Sequence, residues 1–560
     1  MPRPGPARPG REGTVPKAGA AGAPARSPGL VLAVVGFGAF VAADDLTVVS
    51  TMLRPIISDL GIVLPDGLDD AAWIVNAYLI AFVATMPLAG KLSDLIGRRL
   101  TFVSALAVFA AGSALIPSSH SFGPFLVGRV LTAIGGGALV PVGMAVVGDV
   151  YAERARARAL GTLGAIETLG WVWGPIYGAV LVRYLTWQWQ FWLNVPLAVA
   201  GMVAGWLVLA PGRSEEVGAV AIDTAEPGGT RGDAIAGPGR QGRGRTDWVG
   251  AVALVVGLVA VNVALLGRAQ IQSVTGLDQL TGSGGVGGPW LYAVAALAFA
   301  LFVARERRSA DPILDVSLFR ARNLRAAMAV NFLVGGALVI AMVQVPLWIN
   351  VVELDTGRSA VRAAQVLTGL TAAMAVASWA GGHLTARWWY RPPILAGLVA
   401  GLAGFAVMGT VWSTATPYVA MAATLALVGA GLGLVIAPTS AAVVDHAPPD
   451  QRGAAAGLVM LFRLMGLSVG LSGLTAWGLH RFNELRRGLT LPPLTDPGFK
   501  AAVEEAQASI TTAAIGEMFA ATTVVMAVAL AVALTMRRPG GGSTTPPGPG
   551  DGRRPPPGEG

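Results

Sequence analysis

The chain has 560 residues, 54% of them hydrophobic and only 13% charged, with a mean hydropathy of +0.61. That balance is too apolar for a water-covered surface and excludes a soluble enzyme or a soluble binding domain. The absence of cysteine excludes disulfides, thiol catalysis and cysteine-held metal, and the net charge of +8 lies in segments between apolar runs, where it marks membrane orientation and not a nucleic-acid surface.

Residues 1–28 are rich in proline and glycine, the composition of a disordered tail. A secretory leader is the competing reading, since Arg3 to Arg26 precede an apolar stretch, but the helical pattern continues past Asp45 to Leu60. Six apolar runs follow within 29–211, beginning near Leu30, Ala71, Leu100, Phe125, Leu160 and Phe191. Residues 212–247 read as a flexible linker, and 248–304 holds two more runs, from Trp248 and Trp290. A basic loop at 305–324 leads to six further runs within 325–536, beginning near Ala326, Val361, Pro393, Tyr418, Ala454 and Thr512; 537–560 is a second disordered tail. Each run has the roughly 17–25 residues that cross about 30 Å of hydrocarbon as a helix. The expected fold is an all-α membrane protein with fourteen transmembrane helices, two six-helix bundles plus two inserted linker helices.

Short positive loops stay in the cytoplasm. The segments 91–99, 154–158, 213–245, 305–325 and 387–391 are basic, whereas 117–123 and 269–288 carry no lysine or arginine. With an even span count this places both tails in the cytoplasm; the segment from His480 to Ser509, with Arg481, Arg486 and Arg487, falls outside against the rule.

The first run carries two adjacent acids, Asp44 and Asp45. An acid near the bilayer centre costs roughly 2.5–3.5 kcal/mol on insertion scales, so an idle one is improbable. Successive helix residues point about 100° apart, so the two cannot face one cavity equally. Arg129, Glu167 and Arg463 are further charges inside apolar runs. The four histidines are scattered and show no metal-ligand spacing, and no G-x-x-x-x-G-K-[ST] loop is present, so neither a metal, a cofactor nor direct use of ATP is expected. Gly429-Ala430-Gly431-Leu432-Gly433 lies inside an apolar run with no preceding strand and reads as helix packing, not a dinucleotide loop.

The loop Gly90-Lys91-Leu92-Ser93-Asp94-Leu95-Ile96-Gly97-Arg98-Arg99 resembles the hallmark loop of the major facilitator superfamily, G-x-L-a-D-r-x-G-r-[RK], with Leu95 departing from the usual basic residue. Gly382-His383-Leu384-Thr385-Ala386-Arg387 with Arg391 repeats it faintly in the second bundle, as halves related by repeat symmetry require. The resemblance makes Gly90, Asp94, Gly97, Arg98 and Arg99 a cytoplasmic gate. Asp94 would face a helix N-terminus and Arg98 would pair with Asp149. Gly128-Arg129-Val130 through Gly137 is similar to the fourth-helix motif of proton-coupled members. Gly170, Gly174, Pro175 and Gly178 match the antiporter motif of the fifth helix, which implies export. Trp73 to Leu79, Phe191 to Pro196, Ala476 to Asn483 and Gly516 to Phe519 resemble the mycobacterial triacylglyceride exporters of the 14-helix drug:proton antiporter branch. A departure is the short Ser413-Thr414-Ala415-Thr416-Pro417 segment where those members carry a long external insertion.

The resemblance implies a secondary exporter in a bacterial cytoplasmic membrane, not an enzyme, driven by protons and working by alternating access. Asp45 matches the family's first-helix aspartate, while Asp44 stands at a usually apolar position. Arg463 is carried over as the cation facing Asp45; Glu167 is either a second protonation site or a structural partner of Arg129. The expected partners are a lipid or hydrophobic small-molecule substrate, protons, membrane lipids and a periplasmic lipoprotein, with no nucleic acid, and the chain is expected to be a monomer. Triacylglyceride or a related lipid is the favoured substrate, with hydrophobic or cationic drugs as the alternative.

Overall fold

A polypeptide in hydrocarbon must satisfy its backbone polar groups internally, which for apolar runs of this length leaves the helix as the available solution. The computed structural model describes residues 27–62, 68–211, 248–266, 290–309, 321–353, 356–487 and 499–537. Most of the two tails and the whole 212–247 linker lie outside the described residues. Helices α1 (Pro28–Asp59), α2 (Leu68–Ile96), α3 (Arg98–Leu115), α4 (Phe122–Val150), α5 (Glu153–Tyr184) and α6 (Gln188–Val208) come first. Two shorter helices follow, α7 (Trp248–Leu266) and α8 (Trp290–Glu306). The chain then forms α9 (Arg322–Val352), α10 (Thr356–Trp388), α11 (Arg391–Val411), α12 (Tyr418–His446), α13 (Arg452–Arg487) and α14 (Phe499–Leu534). No strand occurs among the described residues.

Twelve of these helices are long and apolar enough to cross a membrane, so the expected count of fourteen is met only in part. The exceptions are α7, with 19 residues, and α8, with 17. At 1.5 Å per residue their described residues span about 29 and 26 Å, at or below the roughly 30 Å of hydrocarbon.

The helices alternate in direction, so the junctions α2–α3, α4–α5, α10–α11 and α12–α13 gather at one end, here called the basic end. The starts and ends of the chain's halves meet there too. Tyr151 Oη donates to the Pro28 carbonyl at 2.6 Å, and Asn323 Nδ2 donates to the Arg537 carbonyl at 2.8 Å. Only one residue, Gly97, separates α2 from α3; its φ of +101° is a conformation that side chains with a Cβ resist.

In the first half α1 packs on α5 and α4, and α3 packs on α4 and α6. In the second, α9 packs on α13 and α14, and α12 packs on α10 and α11. Two seams join the halves, α5 against α10 and α2 against α13. Helices α7 and α8 pack on each other, and α7 lies along the α2–α13 seam.

Candidate functional site

Asp45 is fully buried and pairs with Arg129, whose Nη1 donates to Oδ2 at 3.1 Å. Asn194 Nδ2 donates to the other oxygen at 3.2 Å. The Arg129 guanidinium lies 4.1 Å from the Tyr78 ring centroid and 5.9 Å from that of Phe191, so its faces are covered by aromatic rings. This cluster draws on α1, α2, α4 and α6 and belongs wholly to the first half. Beside it, Gln190 Nε2 donates to Asp44 Oδ2 at 3.0 Å.

A second buried pair crosses between the halves. Arg463 Nη1 of α13 lies 3.7 Å from Glu167 Oε1 of α5. Its Nε donates to Asn331 Oδ1 at 3.3 Å, and Asn331 is itself anchored by donating Nδ2 to the Val459 carbonyl at 2.6 Å. Glu167 and Arg463 line a small pocket with Ala43, Leu46, Trp171 and Met460; it has room for about one water molecule.

The expected pairings are therefore exchanged. Sequence reasoning joined Asp45 to Arg463 and offered Arg129 as a partner for Glu167; the structure joins Asp45 to Arg129 and Glu167 to Arg463. The reason is one of neighbourhood. Helix α4 packs directly on α1 within one bundle, whereas Arg463 sits on the α13 face that meets the other half.

At the basic end the halves are closed on each other. Asp94 Oδ1 and Oδ2 accept from the Gly453 and Ala454 backbone N–H groups at 3.0 Å each, where α13 begins and its dipole favours an anion. Arg98 donates from Nε to Asp149 at 2.9 Å, the partner expected for it, and also binds Asp94 at 2.5 Å, a pairing the sequence reading did not include. Arg452 of the second half reaches the same Asp149 at 3.2 Å. A Cβ at Gly90 would collide with the Gly453 carbonyl, so the α2–α13 seam closes backbone against backbone. Arg99 lies elsewhere, stacked on Trp206 at 3.6 Å.

The α5–α10 seam repeats this construction. Asp445 ends α12 as Asp149 ends α4, and it accepts from Arg156 of the opposite half and from Tyr390, which precedes α11. Burial and the Asp445 carboxylate push the Tyr390 phenol well above its usual range, so it remains a donor at any working pH. A Cβ at Gly382 would meet Gly161 Cα at 2.9 Å, the counterpart of Gly90 on Gly453. Sequence reasoning did not single out Asp445, Arg156, Tyr390 or Arg452; the faint repeat around Gly382 was the signal that leads to them.

Gly170, Gly174 and Gly178 lie on the α5 face that meets α1, where an added Cβ at Gly170 would come within 2.7 Å of the Phe40 carbonyl. Pro175 lies in the same turn of α5. At the opposite end, Arg481 grips Glu517 through Nε at 2.6 Å and Nη2 at 2.8 Å, joining α13 to α14 across two stretches that carried the lipid-exporter resemblance.

Two six-helix halves, joined along two seams with charged groups buried between and within them, define a multi-pass membrane transporter. The sequence profile of the Major Facilitator Superfamily matches residues 35–471, and the chain belongs to that family. A triacylglyceride transporter of Mycolicibacterium hassiacum is 31% identical over 481 residues, covering 83% of each chain. The multidrug transporter protein MdtP of Bacillus subtilis is 28% identical over 453 residues, covering 80% of this chain and 74% of its own. The crystal structure of the human organic anion transporter MFSD10 superposes with a TM-score of 0.55 at 17% identity, covering 90% of this chain and all of the other, a likeness of fold.

Proposed function

We propose that the chain is a proton-coupled exporter that works by alternating access and moves triacylglyceride or a related lipid out across a bacterial cytoplasmic membrane, with both termini in the cytoplasm. The observation that carries this reading is the buried Glu167–Arg463 pair between the halves, above a basic end that is closed. A pocket with room for about one water cannot hold a lipid, so the halves must part for substrate to pass. Parting separates Glu167 from its counter-ion, and a proton is the smallest species that neutralises the acid left behind. Asp45 with Arg129 forms the second charged element of the coupling. The lipid substrate is drawn from the triacylglyceride transporters that resemble this chain, and a periplasmic lipoprotein would receive the cargo.

A multidrug exporter is the second reading, favoured by the likeness to MdtP and by the short 412–417 connection between α11 and α12. Reconstitution into vesicles with an imposed pH gradient separates the two. The expected result is triacylglyceride flux, little flux of a cationic dye, and loss of both in Asp45→Asn. Dye flux without lipid flux would favour the drug reading, and flux unaffected by the gradient would sink proton coupling.

A Glu167→Gln variant tests the bridge itself. It is expected to fold and to bind substrate while gradient-driven export falls by about tenfold or more, since the amide cannot cycle a proton. Full-rate export would remove Glu167 from the mechanism.

A further inference from the structure

Asp44 is a buried acid that the coupling scheme leaves idle. It is 6% exposed and adjoins Asp45. Gln190 satisfies Oδ2, while Oδ1 is buried with no hydrogen-bond partner. Gln190 Oε1 is likewise buried without a partner, so this spot holds more acceptors than donors.

The groups facing it from each packed helix are few. Asp45 shares α1, Tyr78 comes from α2, Arg129 from α4, Tyr177 from α5, and the neutral Gln190 and Asn194 from α6. Glu167, also on α5, lines the pocket beside Ala43. Arg129 forms its ion pair with Asp45, and no ion pair reaches Asp44 among the described residues. An ionised Asp44 would be an uncompensated buried charge next to a second anion; the protonated acid converts one surplus acceptor into a donor.

The glycine face of α5 packs on the backbone of this residue. A Cβ at Gly170 would stand 3.3 Å from the Asp44 nitrogen, and one at Gly174 would stand 2.9 Å from its carbonyl oxygen. We propose that Asp44 is an exchangeable proton site of this transporter, loaded in this conformation, while Asp45 stays ionised against Arg129. The proposal rests on the proton-coupled reading above and assigns a role to a residue that departs from the family pattern.

Infrared difference spectroscopy of the purified full-length protein, titrated over pH, reads protonated carboxyl groups directly, and an indicator dye counts protons taken up. Wild type is expected to show a titrating carboxylic-acid band. Asp44→Asn should lose it and take up about one proton fewer per molecule. Asp45→Asn should keep it. Should Asp44→Asn fail to fold, Asp44→Leu, the apolar kind of residue usual at this position in the family, carries the same expectation. A band that survives both Asp44 variants, or vanishes only in Asp45→Asn, overturns the proposal. Flux is read separately. Gradient-independent export with the Asp44 band present would sink the coupling scheme alone, and coupled export with no Asp44 band would sink this site alone.

Discussion

Replacing Arg129 with methionine is expected to abolish gradient-driven export and to lower stability by about 3–5 kcal/mol, the usual cost of removing one partner of a buried ion pair. Arg129 is 1% exposed and Asp45 is fully buried, so water cannot screen the charge that remains. Asn194 also donates to Asp45, at 3.2 Å, but it is a neutral amide and supplies no counter-charge. The lone carboxylate must stay charged at that cost or hold a proton permanently, and neither form can take part in a cycle. The double variant Arg129→Met with Asp45→Asn removes both charges. Its thermal midpoint in detergent is expected to return close to that of wild type while export stays lost. A single Arg129→Met variant of unchanged stability would show that Asp45 has another counter-charge and would refute the pairing.

Asp94→Asn is expected to open both seams, although Asp94 touches only one. Its carboxylate accepts two backbone N–H groups at the start of α13, and hydrogen bonds to a charged group contribute about 1.5–3 kcal/mol. Losing that much shifts the closed-to-open ratio by roughly 10- to 100-fold. The chain has no cysteine, so a single Ser378→Cys provides a unique label. Ser378 is fully buried on α10 and donates to the Gly161 carbonyl across the other seam. Rigid halves make labelling at position 378 rise at least tenfold when Asp94 is neutralised. Labelling that stays at the background of Ser378→Cys alone would mean that the seams move independently.

Most of the helical frame was legible from hydropathy, because run length against bilayer thickness is a one-dimensional comparison. The expected start at Tyr418 coincides with the observed one, and Leu30 and Ala454 fall within two residues of Pro28 and Arg452. The contacts of the 90–99 loop were legible as well, since Asp94 and Arg98 act on helix ends that the loop itself positions. Pairing inside the membrane was not. Helical period tells which face of α13 carries Arg463, but not which of several distant acids stands opposite at the same depth. Gln190 drew no attention as a neutral residue, yet its contact with Asp44 depends on α6 lying against α1. Asp445 could have been found from Asp149 by applying the repeat symmetry a second time.

Asp149 serves two arginines, one from its own half and one from the other. When the halves separate, Arg452 leaves and Arg98 stays, so no bare carboxylate is released into the gap. Asp445 has no such reserve. It keeps a phenol but surrenders its guanidinium, Arg156. The two latches therefore differ in the work needed to undo them, and under the proposed alternating access the Asp149 side should open first and the Asp445 side last. An imprecise hinge with equal latches could open at either edge; unequal ones would give the proposed rocking motion a preferred leading edge.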